Sequence, residues 1–190
     1  MATIILLVIL ALLVLWVVGA YNSLITLKNQ VANGWKQIDV QLKRRHDLIP
    51  NLVNTVKGAM DFERNTLEAV IAARNKAVTA TGVRQTAQAE GELTQALGRL
   101  FALTEAYPDL KATANVAQLQ EELTSTENKI GFARQLYNDV ATQYNTKQML
   151  FPTSLIAGLA KATPVELWQI EDAAERAVPT VDLSMNKPAP

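Results

Sequence analysis

From Ile4 to Val18 every residue is apolar, and with Ala2, Thr3, Gly19 and Ala20 the run makes nineteen residues containing one polar side chain. At about 1.5 Å per residue a helix of this length reaches roughly 28 Å, close to the hydrocarbon thickness of a bilayer. A helix satisfies its own backbone donors and acceptors, which lipid cannot do. Trp16 and Tyr21 flank the end of the run, where amphipathic rings settle at the headgroup level. Two other readings compete with a membrane span. A cleaved signal peptide would find small residues at Val18-Gly19-Ala20, but Met1-Ala2-Thr3 offers no basic start. A nineteen-residue run without a polar face argues against the second, a buried core helix. Residues 1–20 are therefore read as a transmembrane anchor. Nothing basic precedes it, whereas Lys28 and Lys36 follow closely, so the positive-inside rule places the N-terminus outside and the remainder in the cytoplasm. A periplasmic domain is the alternative orientation.

Beyond the anchor the apolar residues change period. Val31, Trp35, Ile38, Leu42 and Ile49 follow spacings of three and four, with Arg45 standing where the seam expects another apolar residue. After Pro50 the stripe resumes through Leu52, Val53, Val56, Met60, Leu67, Val70 and Ala77. Asp47 could cap a new helix with Pro50 in its first turn, or one helix could be kinked at Pro50; a break, allowing the two segments to pair, is the favoured reading. Thr79 to Arg84, containing Gly82, reads as a loop. A further helix spans about Thr86 to Tyr107 with Leu93, Leu97, Leu100 and Thr104 inside, and Pro108-Asp109 starts a turn. Asn115 with Gln118 makes a capping box for a last long helix, which carries Val116, Leu119, Leu123, Ile130, Tyr137, Val140 and Tyr144 and runs to about Lys147.

Four amphipathic stripes with short connections predict an all-α fold: an antiparallel four-helix bundle over residues 21–148, its first helix continuous with the anchor because no breaker separates Ala20 from Leu27. Residues 149–178 are expected to form a short, partly helical tail, with helices over Ser154 to Lys161 and Glu166 to Ala177. Residues 179–190 have the composition of a disordered end.

Charge and composition narrow the chemistry. The chain has no cysteine, which rules out disulfides, thiol nucleophiles and thiolate metal sites. Up to His46 there are five basic residues against one acid, leaving thirteen basic and seventeen acidic residues beyond it, a net of −4. No basic face suited to nucleic acid is visible. His46 is the one histidine, which excludes a multi-histidine metal site, and between Arg45 and Asp47 it reads as part of a capped or solvated turn rather than as a general base. No phosphate loop or dinucleotide fingerprint occurs. Glu121-Glu122 and Glu171-Asp172 are neighbours in sequence and point to different sides of a helix, so they read as solvated faces. No catalytic residue, cofactor or metal is assigned.

The polar residues on the apolar seams carry more information. Arg45, Glu63 and Arg74 fall on or beside core positions, and Glu127 and Arg134 lie seven apart on one face of the last long helix. Charges at such places are buried only when paired. An internal network that sets helix register is the preferred reading, and a polar groove for a partner's charged group the alternative. In the tail, Leu155, Ile156, Leu159, Val165, Leu167, Trp168 and Ile170 suit either an interfacial helix or packing on the bundle, with Trp168 grouped with Trp16 and Tyr21 as an interfacial aromatic.

The motifs on these elements resemble the LemA family of bacterial membrane proteins. The resemblance runs through Tyr21-Asn22-Ser23-Leu24, then Gly34-Trp35-Lys36-Gln37-Ile38-Asp39-Val40-Gln41-Leu42-Lys43-Arg44-Arg45 and His46-Asp47-Leu48-Ile49-Pro50-Asn51-Leu52-Val53. It continues at Glu105-Ala106-Tyr107-Pro108 and Leu110-Lys111-Ala112, and in Glu122-Leu123, Glu127, Ile130, Ala133-Arg134, Tyr137-Asn138, Val140 and Tyr144-Asn145. It implies a helical bundle behind one N-terminal membrane helix in the bacterial inner membrane, with no agreed biochemical activity. The tail departs from the family pattern at Gly158 to Pro164. The resulting expectation is a non-enzymatic, membrane-anchored scaffold whose partners are the lipid bilayer, further copies of itself and other envelope proteins. The alternative is a membrane-shaping or lipid-binding protein that uses the juxtamembrane helix and the tail.

Overall fold

A computed structural model describes residues 1–58, 63–107 and 113–169. Among them the ordered elements are all helical: α1 (Ala2–Lys57), α2 (Arg64–Thr79), α3 (Val83–Glu105), α4 (Ala114–Met149) and a single short turn of helix, α5 (Ser154–Ala157). The anchor and the first domain helix are one rod of 56 residues, about 84 Å long at the helical rise. Its apolar N-terminal part is exposed on every side. Farther along, one face is buried, at Leu24, Val31, Gly34, Ile38, Leu42, Arg45, Ile49, Leu52 and Val56. The surface changes from apolar all round, as a membrane span would be, to a single apolar stripe that packs on protein. α1 is thus a candidate membrane span continuous with the domain.

The expected break at Pro50 does not occur, and Asp47 lies inside α1 rather than capping a new helix. Proline lacks the N–H that would bond the carbonyl four residues earlier, here that of His46. Arg74 of α2 fills the gap: its Nε donates to the His46 carbonyl oxygen at 3.2 Å. Tertiary contact, rather than a break in the helix, absorbs the proline. Arg74→Met is therefore expected to cost about 0.5–1.5 kcal/mol, the net worth of a hydrogen bond at this partly buried site. In a Pro50→Ala background the backbone N–H gained at that position can take the carbonyl, so the same substitution should cost less. A double-mutant cycle by urea unfolding measures the difference, and strict additivity would refute the link.

α2 and α3 are joined through Gly82, whose φ of 79° suits a residue without Cβ. α3 starts at Val83, slightly before the expected Thr86. α4 is preceded by Thr113 as N-cap, which places Asn115 in the first turn instead of at the head of a capping box. Met60, Pro108-Asp109, Ile170 to Ala177 and the end of the chain lie outside the described residues.

The core divides into two parts along the rod. In the distal part all four long helices contribute, through Ile49, Leu52 and Val56 of α1, Leu67 and Val70 of α2, Leu93, Leu97 and Leu100 of α3, and Val116 and Leu123 of α4. Each fully buried aliphatic side chain contributes about 1.5–3 kcal/mol. Nearer the anchor α1 and α4 continue as a pair, with Leu24, Val31, Ile38 and Leu42 facing Ile130, Tyr137, Ala141 and Tyr144. The pair closes at Gly34, where an added Cβ would stand 3.4 Å from the Tyr137 Cα. After α5 the chain turns back as an irregular segment over residues 162–169, which the expected second tail helix would have begun to occupy.

Candidate interaction site

Three features could carry function: a buried charge cluster, a strapped tail, and an apolar groove. The charge cluster lies where the two parts of the core meet. Arg45 Nη1 of α1 pairs with Glu90 Oε2 of α3 at 3.1 Å and with Glu127 Oε2 of α4 at 3.0 Å. Its Nη2 donates to Thr94 Oγ1 at 2.8 Å. The other Glu90 oxygen accepts from His46 Nε2 at 2.5 Å. Glu90 thus binds both adjacent α1 residues, while Arg45 joins α1 to α3 and α4 together. Arg74 enters by way of the His46 carbonyl.

The other residues of the expected network lie elsewhere. Glu63 stands at the N-cap of α2 and makes no side-chain cap hydrogen bond. Arg134 stacks over Trp168, its Cζ 5.4 Å from the ring centroid. His46 is buried inside a helix rather than in a solvated turn. It borders a groove of about 500 Å³ also lined by Asp39, Lys43, Asp47, Arg74 and Thr86. With Nε2 committed to a carboxylate that also holds Arg45, the imidazole has no free Nε2 to offer a nucleophile. Glu90 is not among the residues the sequence singles out, although its place three residues before Leu93 and seven before Leu97 puts it on the inner stripe of α3.

Trp168 sits 4% exposed against Trp35 and Tyr137 rather than at a membrane interface. Its ring centroid lies 6.0 Å from that of Trp35. Two asparagines of α4 hold the backbone of the returning tail as a neighbouring strand would. Asn138 accepts from the Trp168 N–H at 2.8 Å and donates to the Trp168 carbonyl at 2.9 Å. Asn145 treats Val165 the same way, at 2.9 and 2.8 Å. The repeat of Tyr-Asn at 137–138 and 144–145, seven residues apart, is the sequence signal for this strap.

Tyr137 adds a 2.7 Å hydrogen bond from its hydroxyl to the Glu166 carbonyl. Burial, and then the negative charge of Glu166, hold its phenol above the ordinary 10.0. Below that pH the neutral phenol contributes its full stabilisation. Above it the unfolded chain loses the proton first, so stability falls as pH rises through the folded value. Tyr137→Phe should cost about 0.5–1.5 kcal/mol at neutral pH and lessen the alkaline loss, as read by urea titrations on either side of that value.

The groove lies on the faces of α1 and α4 turned away from the strap. It holds about 440 Å³ and is lined by Lys36, Gln37, Val40, Gln41, Lys129, Phe132, Ala133 and Leu136. Val40, Phe132 and Leu136 are exposed, Phe132 to 73%. Gln41 Oε1 is buried without a hydrogen-bond partner.

The sequence model of the LemA family matches residues 34–183, which takes in the charge cluster, the groove and the strap. The chain belongs to the LemA family. It is 28% identical over 168 residues to Protein LemA of Metamycoplasma hominis, covering 87% of this chain and 76% of that one. It is 23% identical over 189 residues to Magnetosome protein MamQ 2 of Paramagnetospirillum magneticum, covering 86% and 70%. Against Magnetosome protein MamQ of Magnetospirillum gryphiswaldense the identity is 22% over 186 residues, with 84% and 68% covered. The match to the family model begins at Gly34, where α1 packs against Tyr137 of α4. In this LemA-family chain the apolar N-terminal run of α1 precedes the matched region.

Proposed function

We propose that this LemA-family chain is a non-enzymatic, membrane-anchored scaffold that associates with further copies of itself through the α1–α4 groove. The observation that carries this reading is the unequal covering of the α1–α4 pair. The tail covers one side, while the opposite side exposes Val40, Phe132 and Leu136 around a buried, unpaired amide oxygen. Exposed apolar residues grouped beside an orphan acceptor mark a surface that a partner completes. The occupant is a second copy. Anchored chains present this groove at one height above the bilayer, so side-by-side contact needs no bending of the rod. The rod then passes the arrangement of the domains on to their membrane helices. Lys28 and Lys36 on the domain side favour a cytoplasmic domain at the bacterial inner membrane, and other envelope proteins are further partners of such an array.

Phe132→Asp is the direct test, since it puts a charge on an exposed site with little risk to folding. Full-length protein in mild detergent is expected to give cross-linked oligomers that this substitution abolishes. A monodisperse monomer before substitution, or oligomers indifferent to Phe132→Asp, would reject association through the groove.

A further inference from the structure

The segment around α5 is apolar on both of its faces, and the protein covers one of them. Ile156 and Ala160 point inward and are buried, whereas Leu155 and Leu159, four apart and so on one face, point outward. With Met149, Leu150 and Phe151 they form a cluster of five large apolar side chains exposed by 57–80%. Isolated exposed leucines are ordinary, but five grouped within eleven residues are not.

The register of α4 on α1 gives the height of this cluster. The helices run antiparallel, with Arg45 against Glu127, Gly34 against Tyr137, and Lys147 Nζ donating to Ser23 Oγ at 2.6 Å. α4 ends at Met149, two residues past Lys147, which on this register stands level with Tyr21, just beyond the apolar run of the anchor. The exposed ring of Tyr21 stands at that height, and the exposed Trp16 lies about 7.5 Å farther into the apolar run. α5 packs against both α1 and α4 there. Charge agrees with position. No acidic residue occurs in 1–38 or in 140–165, while Lys28, Lys36, Lys147 and Lys161 do. The end of the domain next to the anchor is cationic and apolar, as a surface resting on lipid phosphates and acyl chains must be.

We infer that Met149 to Leu159 forms a foot that enters the bilayer interface beside the anchor, giving the domain a second attachment to the same leaflet. The inference rests on the anchor lying in the bilayer and is independent of self-association. A rod held at one point can tilt; held at two, it is fixed in both tilt and rotation. The groove and the strap would then face defined directions in the membrane plane.

The absence of cysteine allows a clean test in the full chain. Single nitroxide labels at Leu12→Cys, Leu155→Cys, Leu159→Cys and the exposed Thr163→Cys are compared in vesicles of phosphatidylcholine with phosphatidylglycerol. Power saturation is read against oxygen, which concentrates in lipid, and against a water-soluble nickel chelate. Labels at 155 and 159 are expected to favour oxygen, between the anchor label and the nickel-accessible label at 163. Nickel access at 155 and 159 equal to that at 163 overturns the foot, and so does shielding from both agents, which would mean a protein cover. Nickel access at Leu12→Cys would overturn the anchor itself, and the foot with it.

Discussion

Glu90→Ala is expected to cost about 3–5 kcal/mol, because it strands the buried Arg45 guanidinium and the His46 imidazole together. Glu127 can answer for only part of the loss: its Oε2 lies 3.0 Å from Arg45, but without hydrogen-bond geometry, and its side chain is 41% exposed. At a few degrees of Tm per kcal/mol for a domain of this size, thermal unfolding followed by helical ellipticity should fall by roughly 10 °C or more. The companion variant Arg45→Met/Glu90→Leu removes both charges and leaves an apolar contact. It should recover much of the loss, since replacing a buried ion pair by hydrophobic residues is often neutral or better. His46 keeps its desolvation cost in that background, so recovery is expected to be incomplete. A Glu90→Ala protein that melts like the wild type would show that the cluster does not hold the helices together.

This cluster also shows what the sequence can and cannot reveal. Arg45 and Arg74 are legible because they fall on or beside an apolar stripe whose period is plain, and Glu127 because it flanks one. Glu90 follows the same rule on α3, yet leucines mark that stripe only from Leu93 onward, and the turn before them carries small and polar residues. Pro50 misleads for a physical reason. Sequence shows the lost N–H, but it cannot show that Arg74, from another helix, supplies a replacement donor to His46. The anchor and the long helices are written in composition and period, which are local properties. Trp168 is ambiguous because an aromatic among aliphatics suits lipid and protein equally, and only the partners Trp35 and Arg134 decide between them. Its neighbours Leu155 and Leu159 share its apolar character and take the opposite exposure.

Trp168→Ala is the second large effect, expected to cost about 3–5 kcal/mol as a large buried ring is lost from the α1–α4 pair. The vacated space is bounded by Trp35, Tyr137 and the guanidinium of Arg134, and a rigid helix pair closed at Gly34 can collapse only partly around it. The loss should be local in character. Asn138 and Asn145 hold the tail by four hydrogen bonds to backbone, each worth about 0.5–1.5 kcal/mol while water is excluded. The indole provides that exclusion over Asn138, so its removal should wet the strap as well as open a cavity. Protease cleavage near residues 162–168 is therefore expected to rise before the helices unfold, a sequence of events that pulse proteolysis alongside circular dichroism can separate. Asn138→Ala breaks the strap without a cavity and should raise cleavage with a smaller change in Tm. If Trp168→Ala instead lowers Tm while cleavage at the tail tracks global unfolding, the strap is part of one cooperative core and not a separately releasable element. In vesicles the same variant bears on the foot, which sits between the strap and α4. A foot anchored in lipid should keep its label depth at Leu155→Cys when the strap behind it is loosened, whereas a foot held only by protein should lose it.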